Sequence, residues 1–291
     1  MLKLAGVVIL YHPNVAKTLE NMASYANQLD KFYILDNSEQ ACFTGIEAFT
    51  HLNVPIEYIA TGVNEGISKR LNQAAHKAIQ DGFDFLLTMD QDSCFEKGAF
   101  AKYKILVKNH HLVEYNKVDR VAQFGVNSDP KHIEVSEKPL LTNNLITSGT
   151  ILDLLIFQRV GDFDENLFID FVDVEYSLRA AYLGYENIIF PNIIMQHSLG
   201  FLKMGRSFKN FKKSPRILHS PIRVYYIIRN GWYMLFRVKL IHKKERKATL
   251  INHMMLLKND FLYNDQLGKV YLYALLGTFH FLINKMGKKN K

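Results

Sequence analysis

Within residues 1–90 four short apolar runs, at 5–11, 31–35, 56–60 and 83–89, are separated by stretches long enough to hold helices. Each run is too short for a buried helix and has the length of a strand. Between the third and fourth, Ile67, Leu71, Ala74, Ala78 and Ile79 recur at helical spacing, and Gly82 stands where a helix would stop. Strand and helix in alternation build a mostly parallel sheet with helices on its faces. Polar residues gather just past the strand ends, at Asp36, Asp90 and Asp92. Open α/β sheets bind ligands at the carboxyl ends of their strands, so these positions are the first functional clue.

The 291 residues suffice for one large domain or one domain with an appendage. Apolar residues make up 48% and charged residues 22%, a globular composition that excludes disorder. The apolar start at 4–11 runs straight into His12 and Pro13 with no small-residue cleavage site, so it reads as a buried strand. The longest apolar run, 270–283, contains His280 and falls short of the roughly 20 residues of a spanning helix. Cys42 and Cys94 supply neither a disulfide framework nor a zinc pattern, which suits a reducing compartment. The net charge of +8 suits nucleic acid, anionic lipid or a phosphate-bearing ligand. From about residue 203 the chain turns rich in Lys, Arg, Tyr and Phe and is expected to be helical. The expected division is therefore 1–202 and 203–291. The stretch 100–145 reads as a helix, a strand at 121–126 and a polar loop through Asp129 and Pro130.

Asp90-Gln91-Asp92 follows the apolar Phe85-Leu86-Leu87. Two carboxylates one residue apart at a strand end can share a hard divalent cation with a diphosphate, although a solvated turn has the same composition. Asp36-Asn37-Ser38 is a turn by residue type, or a site where the Asp36 carboxylate meets a nucleobase edge. The segment from Thr61 through Asn64 to Gly66 opens a helix, where backbone N–H groups favour anions. Farther on, Phe171, Val174, Leu178 and Ala181 form a helical stripe, with Glu175 and Arg179 an i,i+4 pair and Gly184 a stop. Asp170 is the expected N-cap, and Asp173 in the first turn is either dipole-favoured helix chemistry or a general base. His197 ends an apolar segment and precedes Ser198-Leu199-Gly200; a neutral imidazole there can complete a carboxylate metal site.

Over residues 4–235 these segments resemble, in order and spacing, the bacterial GT2 glycosyltransferases, most closely the rhamnosyltransferases. Asp36-Asn37-Ser38 is similar to the family's nucleotide-binding segment, Gly62-Val63-Asn64-Glu65-Gly66 to its G-x-N-x-G loop, and Asp90-Gln91-Asp92 to its D-x-D motif. Ser148-Gly149 resembles the strand edge facing the acceptor, and 163–175 the acceptor-side region in which the base aligns with Asp173. The His197-Ser198-Leu199-Gly200 context and the segment from His219-Ser220-Pro221 to Tyr226, Arg229 and Asn230 resemble the rhamnosyltransferase subgroup. The family's Glu-Asp pair is Val172-Asp173 here, which leaves Asp170 and Glu175 as rival bases.

The resemblance implies a GT-A-type α/β fold with a C-terminal helical appendage. It implies an inverting transfer of L-rhamnose from dTDP-rhamnose to a saccharide or lipid-linked saccharide hydroxyl in surface polysaccharide synthesis. Mg²⁺ or Mn²⁺ would sit on Asp92 and His197, Asp173 would be the base, and Asp36, Asn64, Asp90 and Arg229 would contact the donor. The basic, aromatic region from 203 onward is expected to hold the enzyme peripherally on the cytoplasmic face of an anionic membrane. A nucleic-acid-binding protein is the rival from charge alone, but no nucleic-acid motif supports it. A hydrolase or nucleotidyltransferase on a similar metal site, and a membrane-associated, non-catalytic scaffold that keeps the fold, are the other rivals.

Overall fold

The computed structural model describes residues 3–43, 45–113, 121–130, 133–143, 145–197, 201–206 and 213–289. By contacts the chain forms two compact units, Met1–Glu165 with Val172–His197, and Asn166–Phe171 with Ser198–Lys291.

The first unit is built on β1 (Leu4–Leu10), β2 (Lys31–Asp36), β3 (Ile56–Ala60), β4 (Phe85–Asp90), β5 (Ser93–Phe95), β6 (Val121–Asn127), β7 (Leu140–Leu141), β8 (Thr150–Asp153) and β9 (Glu186–His197). The sheet order is β3-β2-β1-β4-β8-β6-β9-β5, with β7 also on β9. β1, β2, β3 and β4 are mutually parallel, β8 runs antiparallel between β4 and β6, and β6 is parallel to β9. Helices α1 (Val15–Ala23), α2 (Ile67–Gln80), α3 (Ala99–Val113), α4 (Leu154–Val160) and α5 (Val172–Tyr182) make the connections. Every residue of β1 is buried, and a strand covered on both faces reads as a continuous apolar run rather than an alternating one. α2 turns Leu71, Ala74, Ala75 and Ala78 inward. Asp153 caps α4, its carboxylate accepting from the Ile156 N–H at 3.0 Å.

From β1 the chain steps outward to β2 and β3, then returns to place β4 on the other side of β1. That reversal is the switch point where parallel sheets open a crevice. Leu10 pairs with Asp36, Asp36 with Ala60, and Ile9 with Asp90, so both acidic strand ends flank the end of β1.

The second unit contains β10 (Phe201–Arg206), β11 (Lys213–Leu218), α6 (Pro221–Phe236), α7 (Lys243–Tyr263) and α8 (Leu267–Leu282). The antiparallel β10–β11 pair, with Phe201 opposite Leu218, departs from the all-helical expectation for this region. Composition rich in Lys and aromatics hid two short strands whose pairing, not their residue types, makes them sheet. α6 and α8 pack through a Tyr225 hydroxyl to His280 Nδ1 contact of 2.7 Å and a Trp232 Nε1 bond to Thr278 Oγ1 of 3.1 Å.

Gly149 precedes β8 with φ +77°, and a Cβ there would lie 2.7 Å from both Met195 Sδ and Val126 Cγ2. Left-handed strain and overpacking act together, so Gly149→Ala is expected to cost about 2–4 kcal/mol. Urea denaturation of the variant checks this.

Candidate active site

The Asp90-Gln91-Asp92 loop is held at the switch point by its middle residue. Gln91 Oε1 accepts from the Tyr11 N–H at 2.8 Å and Gln91 Nε2 donates to the Tyr11 carbonyl at 3.1 Å. Asn21 Nδ2 donates to the Gln91 carbonyl at 3.0 Å. The Asp90 N–H donates to Ser148 Oγ at 3.1 Å, which ties the loop to the start of β8. Asp90 is half-buried and Asp92 exposed, on either side of this anchored residue. β5 begins immediately after Asp92 and pairs antiparallel with β9, Ser93 lying opposite His197. Directly opposed residues of antiparallel strands have Cα atoms about 4.5–5.5 Å apart, so register brings the His197 backbone within one residue of Asp92. The metal-ligand role expected of the His197 side chain lies outside the described residues. Among the described residues no three His, Cys, Asp or Glu side chains gather as a metal cluster.

On the other side of β1, Asp36 is fully buried. Its carboxylate accepts from the Ser38 N–H at 3.0 Å, the Cys42 N–H at 2.7 Å and the Tyr58 hydroxyl at 2.7 Å. Burial alone would raise its pKa, but the donors on Cys42, Tyr58 and Ser38 outweigh burial and hold it below the usual carboxylate range. A base-edge contact through this carboxylate was the expectation; the side chain instead turns inward and shapes the 36–42 loop. Ser38 Oγ accepts from the His12 N–H at 2.9 Å, joining that loop to the end of β1.

Arg70, on α2 and also fully buried, gathers the rest. Its Nε donates to Asn37 Oδ1 at 3.1 Å, its Nη1 to Gln73 Oε1 at 2.9 Å, and its Nη2 to the carbonyls of Val63 and Asp36 at 3.3 and 3.4 Å. Glu65 pairs with the same guanidinium at 3.2 Å. Asn37 Nδ2 donates to Asn64 Oδ1 at 2.8 Å, and Asn64 Oδ1 also accepts from the Gly66 N–H at 3.0 Å. The Glu65 N–H goes to Asn37 Oδ1 at 2.7 Å, so two N–H groups of the expected phosphate cradle are engaged by side chains. Sequence reading passed over Arg70. The available signal was a cation at helical spacing from Ile67 and Ala74, on the apolar side of α2.

The segment 163–165 is positioned by Asn72, another residue the sequence did not single out. Its Oδ1 accepts from the Phe163 N–H at 2.8 Å, while its Nδ2 donates to the Phe163 carbonyl and Glu165 Oε1 at 2.9 and 3.1 Å. Asp173 stands half-buried in the first turn of α5, its Oδ1 accepting from the Val174 N–H at 2.9 Å. Glu175 is 2% exposed and holds Arg179 through both oxygens at 2.7 and 3.0 Å. Arg179 continues to the carbonyls of Val160, Gly161 and Asp162, closing α5 against the end of α4. Burial raises the Glu175 pKa against the pull of Arg179. A carboxylate so enclosed is structural, which removes Glu175 from the rival bases.

Within the second unit, Asp170 and Phe171 both adopt left-handed backbone, φ +63° and +68°. Asp170 is therefore not the N-cap of α5, which starts at Val172. Its Oδ1 accepts from Nε and Nη2 of Arg223 at 3.1 and 3.0 Å. Arg229 is fully buried, its donors on Asn230 Oδ1 and the carbonyls of Gly287, Asn166 and Lys285. A guanidinium committed to internal acceptors has none to offer a diphosphate, contrary to the expectation for Arg229; it holds the 166–171 segment and the C-terminal end onto α6.

No family model matches the chain. A dTDP-rhamnosyl transferase, RfbF of Shigella flexneri, is 26% identical over 244 residues, 79% of this chain and 79% of that protein. S. aureus TarS 1–349 in complex with UDP-GlcNAc superposes with a TM-score of 0.58 at 14% identity, covering 97% of this chain and 81% of that one. This chain spans about half, 46%, of the longer TarS chain. GalNAc-T7 with UDP, GalNAc and Mn²⁺ superposes with a TM-score of 0.55 at 10% identity, over 91% of this chain and 58% of that one. The fold is the α/β fold of the GT-A glycosyltransferases.

Because the folded-state pKa of Asp36 is depressed, its contribution to stability is present above the unfolded value near 3.9 and is lost as pH falls through the lower folded value. Asp36→Asn is expected to lose about 2 kcal/mol or more at pH 7. The gap to wild type should narrow below about pH 4. Denaturation curves across a pH series check both halves; a gap independent of pH contradicts them.

Proposed function

We propose that this glycosyltransferase, GT-A in fold and similar to a dTDP-rhamnosyl transferase, moves L-rhamnose with inversion from dTDP-L-rhamnose to a hydroxyl of a saccharide or lipid-linked saccharide in surface polysaccharide synthesis. The observation that carries the proposal is the anchoring of Asp90-Gln91-Asp92 at the switch point, beside a locked β2 loop.

In this reading the 36–42 and 61–66 loops receive the nucleoside, with Asp36, Asn37, Asn64 and Arg70 acting as its frame. A rigid frame binds ground and transition states about equally, so defects there should raise the donor KM more than they lower kcat. Asp92, with Asp90 and the imidazole of His197, would hold Mg²⁺ or Mn²⁺; two carboxylates and an imidazole suit such a cation, whose other ligands come from diphosphate and water. When bound, that ion neutralises the charge growing on the departing nucleoside diphosphate. Gln91 supports this role by keeping the two carboxylates at fixed positions. Asp173 removes the proton from the acceptor hydroxyl as its oxygen attacks the anomeric carbon. Glu175 and Arg179 seat the helix that carries it.

Measuring dTDP release from dTDP-rhamnose, with and without saccharide acceptors and with other nucleotide sugars as controls, tests the proposal. Acceptor-dependent release is expected; equal release without acceptor indicates a hydrolase and contradicts it. Asp173→Asn is expected to lower kcat by about 10²–10⁴-fold while donor KM stays nearly unchanged. Asp92→Ala should lose most metal-dependent turnover. An active Asp173→Asn beside an inactive Asp170→Asn would assign the base to Asp170 instead.

A further inference from the structure

α8 is apolar on two opposite sides. One side packs inward, with Val270, Gly277, His280 and Phe281 buried. Gly277 lies so close to α6 that a Cβ would meet the Tyr225 carbonyl at 2.7 Å. The other side carries Leu272, Leu275, Phe279 and Leu282, spaced by three or four residues, with exposures of 59%, 71%, 54% and 67%. Tyr271, on that side, donates its hydroxyl to the Phe261 carbonyl of α7 at 3.1 Å. α7 adds an outward stripe of Ile251, Met254, Met255 and Leu262, with Lys244, Lys247 and Lys258 on the same side by helical spacing and all exposed. Soluble monomers rarely leave apolar faces of this kind uncovered.

Charge indicates what covers it. From Leu267 to Lys291 the sequence has no acidic residue and five lysines, Lys269, Lys285, Lys288, Lys289 and Lys291. Lys269 stands near the first turn of α8, and Lys285 and Lys288 follow its last, all exposed. We propose that the outer face of α8, with the outward stripe of α7, docks on an anionic bilayer, its leucines and Phe279 entering the interface and the lysines meeting lipid phosphates. A second copy of the chain is the weaker occupant, because lysine is depleted at protein–protein interfaces. Spanning is excluded for α8, since no helix among the described residues is long and apolar enough to cross a membrane. The inner face is already held by α6 through Tyr225–His280 and Trp232–Thr278, so the docking face is preformed and binds without folding. Docking is independent of the donor assignment: the vesicle assay below reads it without turnover.

The test is sedimentation of the full-length protein with phosphatidylglycerol/phosphatidylcholine vesicles and with pure phosphatidylcholine vesicles, at low and high salt. Co-sedimentation with the anionic vesicles alone, weakened by salt, is expected. Leu272→Glu with Leu275→Glu, and separately Lys269→Glu with Lys288→Glu, alter only exposed side chains and should each lower vesicle binding at least about tenfold without changing the melting temperature. Failure of the full-length protein to bind anionic vesicles at low salt overturns the proposal. So does binding that neither double variant weakens. A concentration-dependent dimer dissolved by the leucine variant, with no vesicle binding, would assign the face to a second copy.

Discussion

The loops at the carboxyl ends of β2 and β3 depend on a cation with no access to water. Arg70 is fully buried, and an unpaired guanidinium in that position would be destabilising by several kcal/mol. Its neighbours remove the penalty by surrounding it with Asn37, Glu65, Gln73 and the carbonyls of Asp36 and Val63. Those acceptors come from the β2 end, the 61–66 loop and α2. Satisfying one side chain therefore fixes the β2 end and the 61–66 loop against α2. Asp36 performs the complementary task as a buried anion fed by Ser38, Cys42 and Tyr58.

The same device recurs twice. Arg179 is held by Glu175 and passes its remaining donors to carbonyls at the end of α4, which seats the helix bearing Asp173. Arg229 occupies the interior of the second unit and collects carbonyls from 166, 285 and 287. Arginine suits all three places because its five donors lie in a rigid plane and it stays charged when buried. Asp92, exposed just past the end of β4, belongs to the unit in which Asp36, Arg70, Glu175 and Arg179 are buried and paired.

The central strands and α2 were legible because a strand buried on both faces and a helix with one apolar stripe write their burial directly into residue type. Asp36 and Arg229 were found as notable residues, but residue type does not encode the direction of a side chain. Both point inward and are held by internal partners. Arg70 and Asn72 went unnoticed because a polar residue on an apolar helix face looks like noise until its partners, 33 and 91 residues away, are brought alongside. The β10–β11 pair was hidden by composition, and the adjacency of His197 to Asp92 exists only through the β5–β9 register. Separations of that kind are a property of topology and not of any local window.

The central claim is that the carboxyl edge of β1, β2 and β4 binds a thymidine diphosphate together with a divalent cation held by Asp92. Thermal denaturation with saturating dTDP, with and without Mn²⁺, tests it most directly, because binding to the native state raises the melting temperature by mass action. The account expects a clear rise with dTDP and Mn²⁺ together, little with dTDP in chelator, and loss of the metal-dependent part in Asp92→Ala. A dTDP shift of equal size with and without metal, or one unchanged in Asp92→Ala, would contradict it.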